Sequence, residues 1–221
     1  MVWYEVVSGM TKRTESRSGV VIEQRRTPVQ ERSKDRVNLI LSVAAEVISE
    51  VGVEGAKTSE IARRAGISLA SLYRYFPNKS AIVKAIAEQH IEKLDKQIKS
   101  FVQDFDLEHG FDQLIDTYAH FYREEPGYKE IWSGVEAMPE LQELDLGQLY
   151  DNAQDISEKA KEVFPRMDQD RLWLICVMLP RICSSTLRLA MNMDEPKAAI
   201  MLQELKLMLK SYLREKGARQ K

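Results

Sequence analysis

Residues Thr58 to Ile82 read TSEIARRAGISLASLYRYFPNKSAI, a pattern of two short helices on either side of a glycine turn. Ile61, Ala62 and Ala65 are spaced like one buried face of a helix over about Thr58–Ala65. Gly66 stands where that helix must stop, because glycine takes the left-handed conformation without a Cβ penalty. Ser68 offers an N-cap oxygen to a second helix over about Leu69–Phe76. Leu72 and Phe76 point inward on it, which leaves Leu69, Ala70, Ser71, Tyr73, Arg74 and Tyr75 for the outer face. Pro77 ends it, and Asn78-Lys79-Ser80 opens the next helix. Two helices joined by so tight a turn form the unit that places its second helix in a DNA major groove. An ordinary three-helix bundle is the bland alternative. A merely solvated helix, however, would more often carry Glu and Lys pairs than two tyrosines and an arginine.

The flanking residues extend this unit. Val37, Ile40, Leu41, Ala44, Val47 and Ile48 form the buried stripe of a first helix over about Ser33–Val51, stopped by Gly52. Ile82, Ile86, Ile91, Leu94 and Ile98 carry a fourth helix from Asn78 or Ser80 to about Ser100, long enough to join two domains. The matching residues are Ala44-Ala45, Val51-Gly52, Glu60-Ile61-Ala62, Ala65-Gly66-Ile67-Ser68 and Leu72-Tyr73-Arg74-Tyr75-Phe76 followed by Asn78-Lys79. On these, the segment from Arg36 to about Ile86 resembles the N-terminal domain of tetracycline-repressor-type (TetR family) transcriptional regulators. Members often carry a Thr pair just before the second helix, where this chain reads Ala56-Lys57-Thr58-Ser59.

The resemblance implies a homodimeric regulator, expected to be a repressor, that binds a palindromic double-stranded DNA operator and is released by a small apolar or amphipathic effector of unknown identity. Tyr73 and Tyr75 are expected on phosphates or thymine methyls, Arg74 on a base or the backbone, and Lys79 on a phosphate. Ala70 and Ser71 are small enough for close approach to base edges. Thr58, Ser59, Ser68 and Leu69 complete the expected contact set. A constitutive architectural or interaction protein, with the same motif and a filled core, is the rival reading. A cavity beside Trp132 and Trp173 would separate the two.

Charge supports the division. Residues 1–84 hold 14 Lys and Arg against 9 Asp and Glu, and residues 85–221 hold 18 against 25, so the net −2 hides a basic third and an acidic remainder. One part suits a polyanion; the other suits protein, solvent or small molecules. Residues 1–31 lack periodicity and read as a flexible basic arm. Its Arg25 and Arg26 can lie along a phosphate backbone or enter a minor groove; a solvated tail is the alternative.

The expected architecture is all-α with about nine helices. A helix-turn-helix DNA-binding domain covers 32–84, and a helical ligand-binding and dimerisation domain covers 85–221. Helices are expected from Phe111 to the Pro126-Gly127 break, over about Tyr128–Ala137 and Leu141–Phe164, from Gln169 to about Met193, and from Pro196 to about Lys216. Pro180 must kink or interrupt the fourth of these. Phe101, Tyr118, Phe121, Tyr122, Trp132, Met138, Tyr150, Trp173 and Met178 are the candidate pocket residues, each also readable as plain core. On the last helix, Ala198, Leu202, Leu205, Leu209 and Leu213 form one apolar face and Met201, Met208 and Tyr212 another. A terminal helix apolar on two sides needs two partners, so the last two helices are the expected dimer interface; deep burial in a monomer is the alternative.

Other chemistry finds little footing in the sequence. No phosphate-cradling glycine loop, nucleophile elbow or metal-protease helix occurs, and no cofactor or enzyme activity is expected. His90, His109 and His120 lack partners at ligand spacing and read as surface or core residues, so no metal site is expected. Cys176 and Cys183, seven residues apart on one helix, sit about 10 Å from each other, too far for a disulfide. They read as buried reduced thiols, with redox sensing as the alternative. No run of about 18 apolar residues suggests a membrane span, and the opening MVWYEVVSG does not read as a secretory signal. A cytoplasmic protein is expected.

Overall fold

The computed structural model of the protein describes residues 31–103, 110–134 and 138–218. Nine helices and no strand are found among the described residues: α1 (Glu31–Gly55), α2 (Thr58–Arg64), α3 (Leu69–Tyr75), α4 (Lys79–Gln103), α5 (Gly110–Glu124), α6 (Tyr128–Ser133), α7 (Pro139–Val163), α8 (Gln169–Ala190) and α9 (Glu195–Ala218). The arm, with Arg25 and Arg26, lies outside the described residues, as do His109 and the expected end of α6 at Ala137.

The N-terminal unit follows its punctuation. Gly66 takes φ 63° between α2 and α3. Ser68 caps α3, its hydroxyl accepting the Ser71 N–H at 3.1 Å. Asn78 does the same for α4 through the Ala81 N–H. Gly52 departs from the expectation. It leaves helical geometry at φ 72° and ψ 170°, yet the chain continues through another turn to Gly55. Ile40, Ile48, Ile61, Leu72, Phe76, Ile82 and Ile86 are fully enclosed where α1 to α4 meet. Burying each such side chain is worth roughly 1.5–3 kcal/mol.

Beyond this unit, α4 runs unbroken across residues 84 and 85 and packs on α5, α6 and α7. Helices α7 and α8 pair extensively, and α9 packs on α8 and α5. One hydrophobic cluster extends from Val37 to Leu213. The short α6 lies directly on α1. Gly127, at the start of α6, has φ 73°, and a Cβ there would meet the Ala45 carbonyl oxygen at 3.2 Å. Its N–H donates to Ser49 Oγ at 2.6 Å, and that hydroxyl donates to the Ala45 carbonyl at 3.0 Å. Only glycine fits this junction without strain.

Pro180 neither breaks nor interrupts α8, which stays helical from Gln169 to Ala190. The cost is local: proline has no N–H to offer the Cys176 carbonyl. Helix α8 also holds an 18-residue window apolar enough, by length and composition only, to cross a membrane. This was not evident from uninterrupted apolar runs, because Arg181 and Arg188 divide the segment. In the fold one side of α8 packs against α7 and α9. Leu174, Met178 and Leu189 remain exposed on its other side.

Candidate functional site

The candidate nucleic-acid interface is the outer face of α2 and α3. Leu69, Ala70 and Arg74 are exposed on α3, and Ser59 is exposed at the start of α2. Ser71, Tyr73 and Tyr75 are half-buried. Tyr73 Oη lies 3.0 Å from Thr58 Oγ1, so the first turn of α2 and the middle of α3 present paired hydroxyls to one surface. Both tyrosine rings pack against the core as well as facing out. They are therefore partly structural, which their residue type alone did not reveal.

Lys79 is placed differently from a freely swinging phosphate ligand. Its ammonium donates to the carbonyls of Val53 at 2.7 Å and Glu54 at 3.1 Å, capping the last turn of α1. That leaves one of its three N–H donors for a phosphate. Arg63 and Arg64 are engaged internally. Both bind Glu60, and Arg64 also forks onto Glu50 at 2.6 and 2.7 Å. The two arginines, Arg63 first, hold the Glu60 carboxyl down at about 2. This cluster ties α2 to α1 and steadies the platform under α3.

A cavity of about 410 Å³ opens in the second half, walled by α4, α5, α6, α7 and α8, by Leu213 of α9 and by the start of the α7–α8 connection. Of the candidate pocket residues, Tyr118, Tyr122 and Trp132 line it. Phe121, Met138, Tyr150, Trp173 and Met178 do not, and the Phe101 side chain lies outside the described residues. Helical phase is the reason. On α7 the wall is Asp145, Gln148, Leu149, Asn152 and Ile156, and on α8 it includes Leu172, Ile175, Cys176, Leu179, Cys183 and Leu187. Tyr150, Trp173 and Met178 sit about 100° off these stripes. Tyr150 and Trp173 instead stack on each other outside, centroids 5.8 Å apart, and Met178 is exposed. Phe121 packs behind the wall, edge-on to Tyr128 at 4.9 Å, and Met138 packs against the core at the start of α7.

Several wall residues were missed from the sequence: Tyr128, Asp145, Gln148, Asn152, Arg181, Ser184 and Arg188. For all but Tyr128, which lies on α6, spacing at three and four along α7 and α8 was the available signal. Arg181 pairs with Asp145 at 2.7 Å. Arg188 donates to the Trp132 carbonyl at 3.1 Å. Pro180 borders the cavity, as do both cysteines. Both thiols are free, and burial raises Cys176 to about 11 and Cys183 to about 12. They are protonated and poorly nucleophilic near neutral pH.

Trp132 links the cavity to α4, its indole N–H donating to Nδ1 of the buried His90 at 3.3 Å. The proton of a neutral His90 therefore sits on Nε2, facing Glu125. Burial pulls the His90 pKa down to about 4, outweighing the attraction of Glu125, which Lys93 in turn neutralises. His120 is exposed on α5. Among the described residues no group of three His, Cys, Asp or Glu is arranged to hold a metal ion.

Fold and site together define a helix-turn-helix protein with a hollow helical second half. Residues 40–86 match the model of bacterial regulatory proteins of the tetR family, and residues 105–216 match the tetracyclin repressor-like C-terminal domain. The chain belongs to the TetR family of DNA-binding transcriptional regulators, which are not enzymes.

Over 123 residues the chain is 31% identical to the nucleoid occlusion factor SlmA of Haemophilus influenzae (strain PittGG), covering 53% of this chain and 56% of that protein. It is 41% identical over 78 residues to the uncharacterized HTH-type transcriptional regulator YvdT of Bacillus subtilis (strain 168), covering 35% and 40%. The chain thus spans about half the length of the curated relatives it matches. Among solved structures, a TetR-family transcriptional regulator from Streptomyces coelicolor aligns with TM-score 0.62 at 22% identity, over 81% of this chain and 98% of that one. The transcriptional regulator FadR from Bacillus subtilis in complex with stearoyl-CoA aligns with TM-score 0.61 at 16% identity, over 79% and 97%. At these identities the likeness shows the fold.

Proposed function

We propose that this protein is a ligand-responsive repressor that acts in the cytoplasm. It binds a palindromic operator as a homodimer and releases it when a small apolar or amphipathic effector fills the cavity. The observation that carries this reading is the path of α4. One unbroken helix places Lys79 beneath the DNA-reading unit and Ile91, Leu94 and Asp95 in the cavity wall. A guest pressing on the far end tilts the near end. In a two-fold dimer such tilts change the spacing of the recognition helices from the roughly 34–36 Å that successive major grooves require. Release needs only that the effector favour the non-binding arrangement by about 1–3 kcal/mol.

The dimer face is α8 with α9. Leu174, Met178 and Leu189 on α8 are exposed together with Ile200, Leu207 and Met208 on α9. Ala198, Leu202, Leu205, Leu209 and Leu213 already serve the protomer's own core. A dimer is also what one seven-residue recognition helix requires for operator-level specificity.

Bound sequences selected from random duplex DNA, followed by mobility shifts with and without candidate ligands, test the whole proposal. A non-palindromic selected site argues against it. Cavity filling belongs at Leu149, since Met178 faces outward. Leu149→Trp is expected to keep operator binding and lose the ligand response. A second reading, a DNA-bound factor with no effector, draws support from the similarity to nucleoid occlusion factors. The hollow wall beside Trp132 favours the first.

A further inference from the structure

Among the described residues, three tyrosine hydroxyls at the cavity have no hydrogen-bond partner. Tyr118, Tyr122 and Tyr128 all line it, and Tyr122 and Tyr128 are 7% and 6% exposed. Among the described residues none of the three hydroxyls makes a hydrogen bond to the protein. None is sealed in either, since the one buried polar side-chain atom lacking a partner is Asp112 Oδ1. Each hydroxyl therefore has accessible space beside it, on a residue that lines the cavity. Burial raises all three above the ordinary tyrosine value, Tyr122 to about 12, so each keeps its proton. Buried hydroxyls are normally paired, and a group left open in a ligand cavity is free for a guest.

The rings are held where they are. Tyr122 and Tyr128 meet edge to face with centroids 4.6 Å apart, and Tyr128 tilts against Trp132 at 5.9 Å. Tyr118 and Tyr122 stand one helical turn apart on α5, so their hydroxyls serve the same region. The remaining wall is largely aliphatic, with Leu94, Ile115, Leu149, Ile175 and Leu179 among its residues.

Charge at the wall is balanced. Asp95, Asp145 and Glu162 face Lys159, Arg181 and Arg188, and Arg181 is already bound to Asp145. Such a wall has no surplus charge with which to neutralise an ionic head, and burying an unpaired ion is costly.

Resting on the sensor reading above, we infer that the cavity takes an uncharged molecule with an apolar body and carbonyl or hydroxyl oxygens at one end, which the hydroxyls of Tyr118, Tyr122 and Tyr128 bind. The volume of about 410 Å³ suits on the order of a dozen or more non-hydrogen atoms, using the ~30 Å³ share of a water molecule as the yardstick.

The test uses the full chain and four probes of equal length: decan-2-one, decane, decanoate and decylammonium. Binding is followed by calorimetry and by the shift of the thermal midpoint. Decan-2-one is expected to bind tighter than decane and tighter than either ion. Tyr122→Phe and Tyr128→Phe are each expected to cut the ketone-to-decane affinity ratio about five- to tenfold, the size of one lost hydrogen bond. Neither removes a protein hydrogen bond, so both should melt like the parent. The inference is overturned if either ion binds more tightly than the ketone, or if both Phe variants leave the ratio unchanged. Those results leave the sensor reading standing. No binding by any probe, decane included, overturns that reading and this inference together. If decan-2-one binds through the tyrosines yet never weakens operator binding, the sensor reading falls and the head-group assignment stands.

Discussion

The two ends of this molecule are built to opposite rules. Around α1 to α4 the large apolar side chains meet in a solid core, with Phe76, Leu72 and Ile61 fully enclosed. Around α4 to α9 the walls stand apart over about 410 Å³, and three tyrosines whose hydroxyls make no hydrogen bond among the described residues line the gap. The reading end leaves few large apolar side chains outside, Leu39, Val51 and Leu69, whereas α7, α8 and α9 leave many. A protein that must hold donors at fixed positions on a groove gains from close packing, which resists deformation. One that must admit a guest forgoes part of that packing. Rigidity and hollowness are thus divided between two ends of one continuous helix, α4.

The largest expected effect tests that division directly. Leu72→Ala should cost about 3–5 kcal/mol, because its enclosed site cannot collapse, whereas Leu179→Ala at the cavity wall should cost no more than about 2 kcal/mol. Chemical denaturation of both variants measures the difference, and equal costs would break the contrast between solid and hollow ends.

Next comes the junction. Gly127→Ala meets both a left-handed backbone and the Ala45 carbonyl, so a loss of about 2–3 kcal/mol is expected in thermal melts. A neutral outcome would mean that α6 is not clamped to α1.

The pH dependence of the neighbouring contact between α4 and α6 is smaller. Folded His90 stays neutral down to about 4, while an unfolded histidine takes up its proton near 6.5. Its contribution is therefore intact above about pH 6.5, falls as pH drops, and levels out below about 4. Between pH 7.5 and 5 the loss should be about 1–2 kcal/mol. His90→Asn keeps an acceptor for the Trp132 N–H without the titration. Its melting temperature should fall less steeply with acid than that of the parent, and identical slopes would refute the assignment.

The smallest effect on the fold belongs to the outer surface. Met208→Glu should change protomer stability by less than about 0.5 kcal/mol while converting dimer to monomer in sedimentation and weakening operator binding. A dimer that survives this charge has its interface elsewhere.

The helix-turn-helix could be read without the fold because its information is local. Gly66, Ser68, Pro77 and Asn78 each act on the backbone within three or four residues, and Leu72 and Phe76 follow from phase on one short helix. Class, helix order and the outer face of α3 came from such signals. The tertiary structure alone decided the rest. Lys79 reads from sequence only as a cation at the start of α4; its hold on the Val53 and Glu54 carbonyls required α1 and α4 to meet. Tyr150, Trp173 and Met178 have the right chemistry for a pocket and the wrong phase, and only the packing of α7 on α8 fixed which stripe faced inward. The hydroxyls of Tyr122 and Tyr128, without a hydrogen bond among the described residues, depend on six helices stopping short of one another. Caps and turns act over a few residues, so sequence carries them directly; a cavity is the space between distant helices, and no single stretch of chain encodes it.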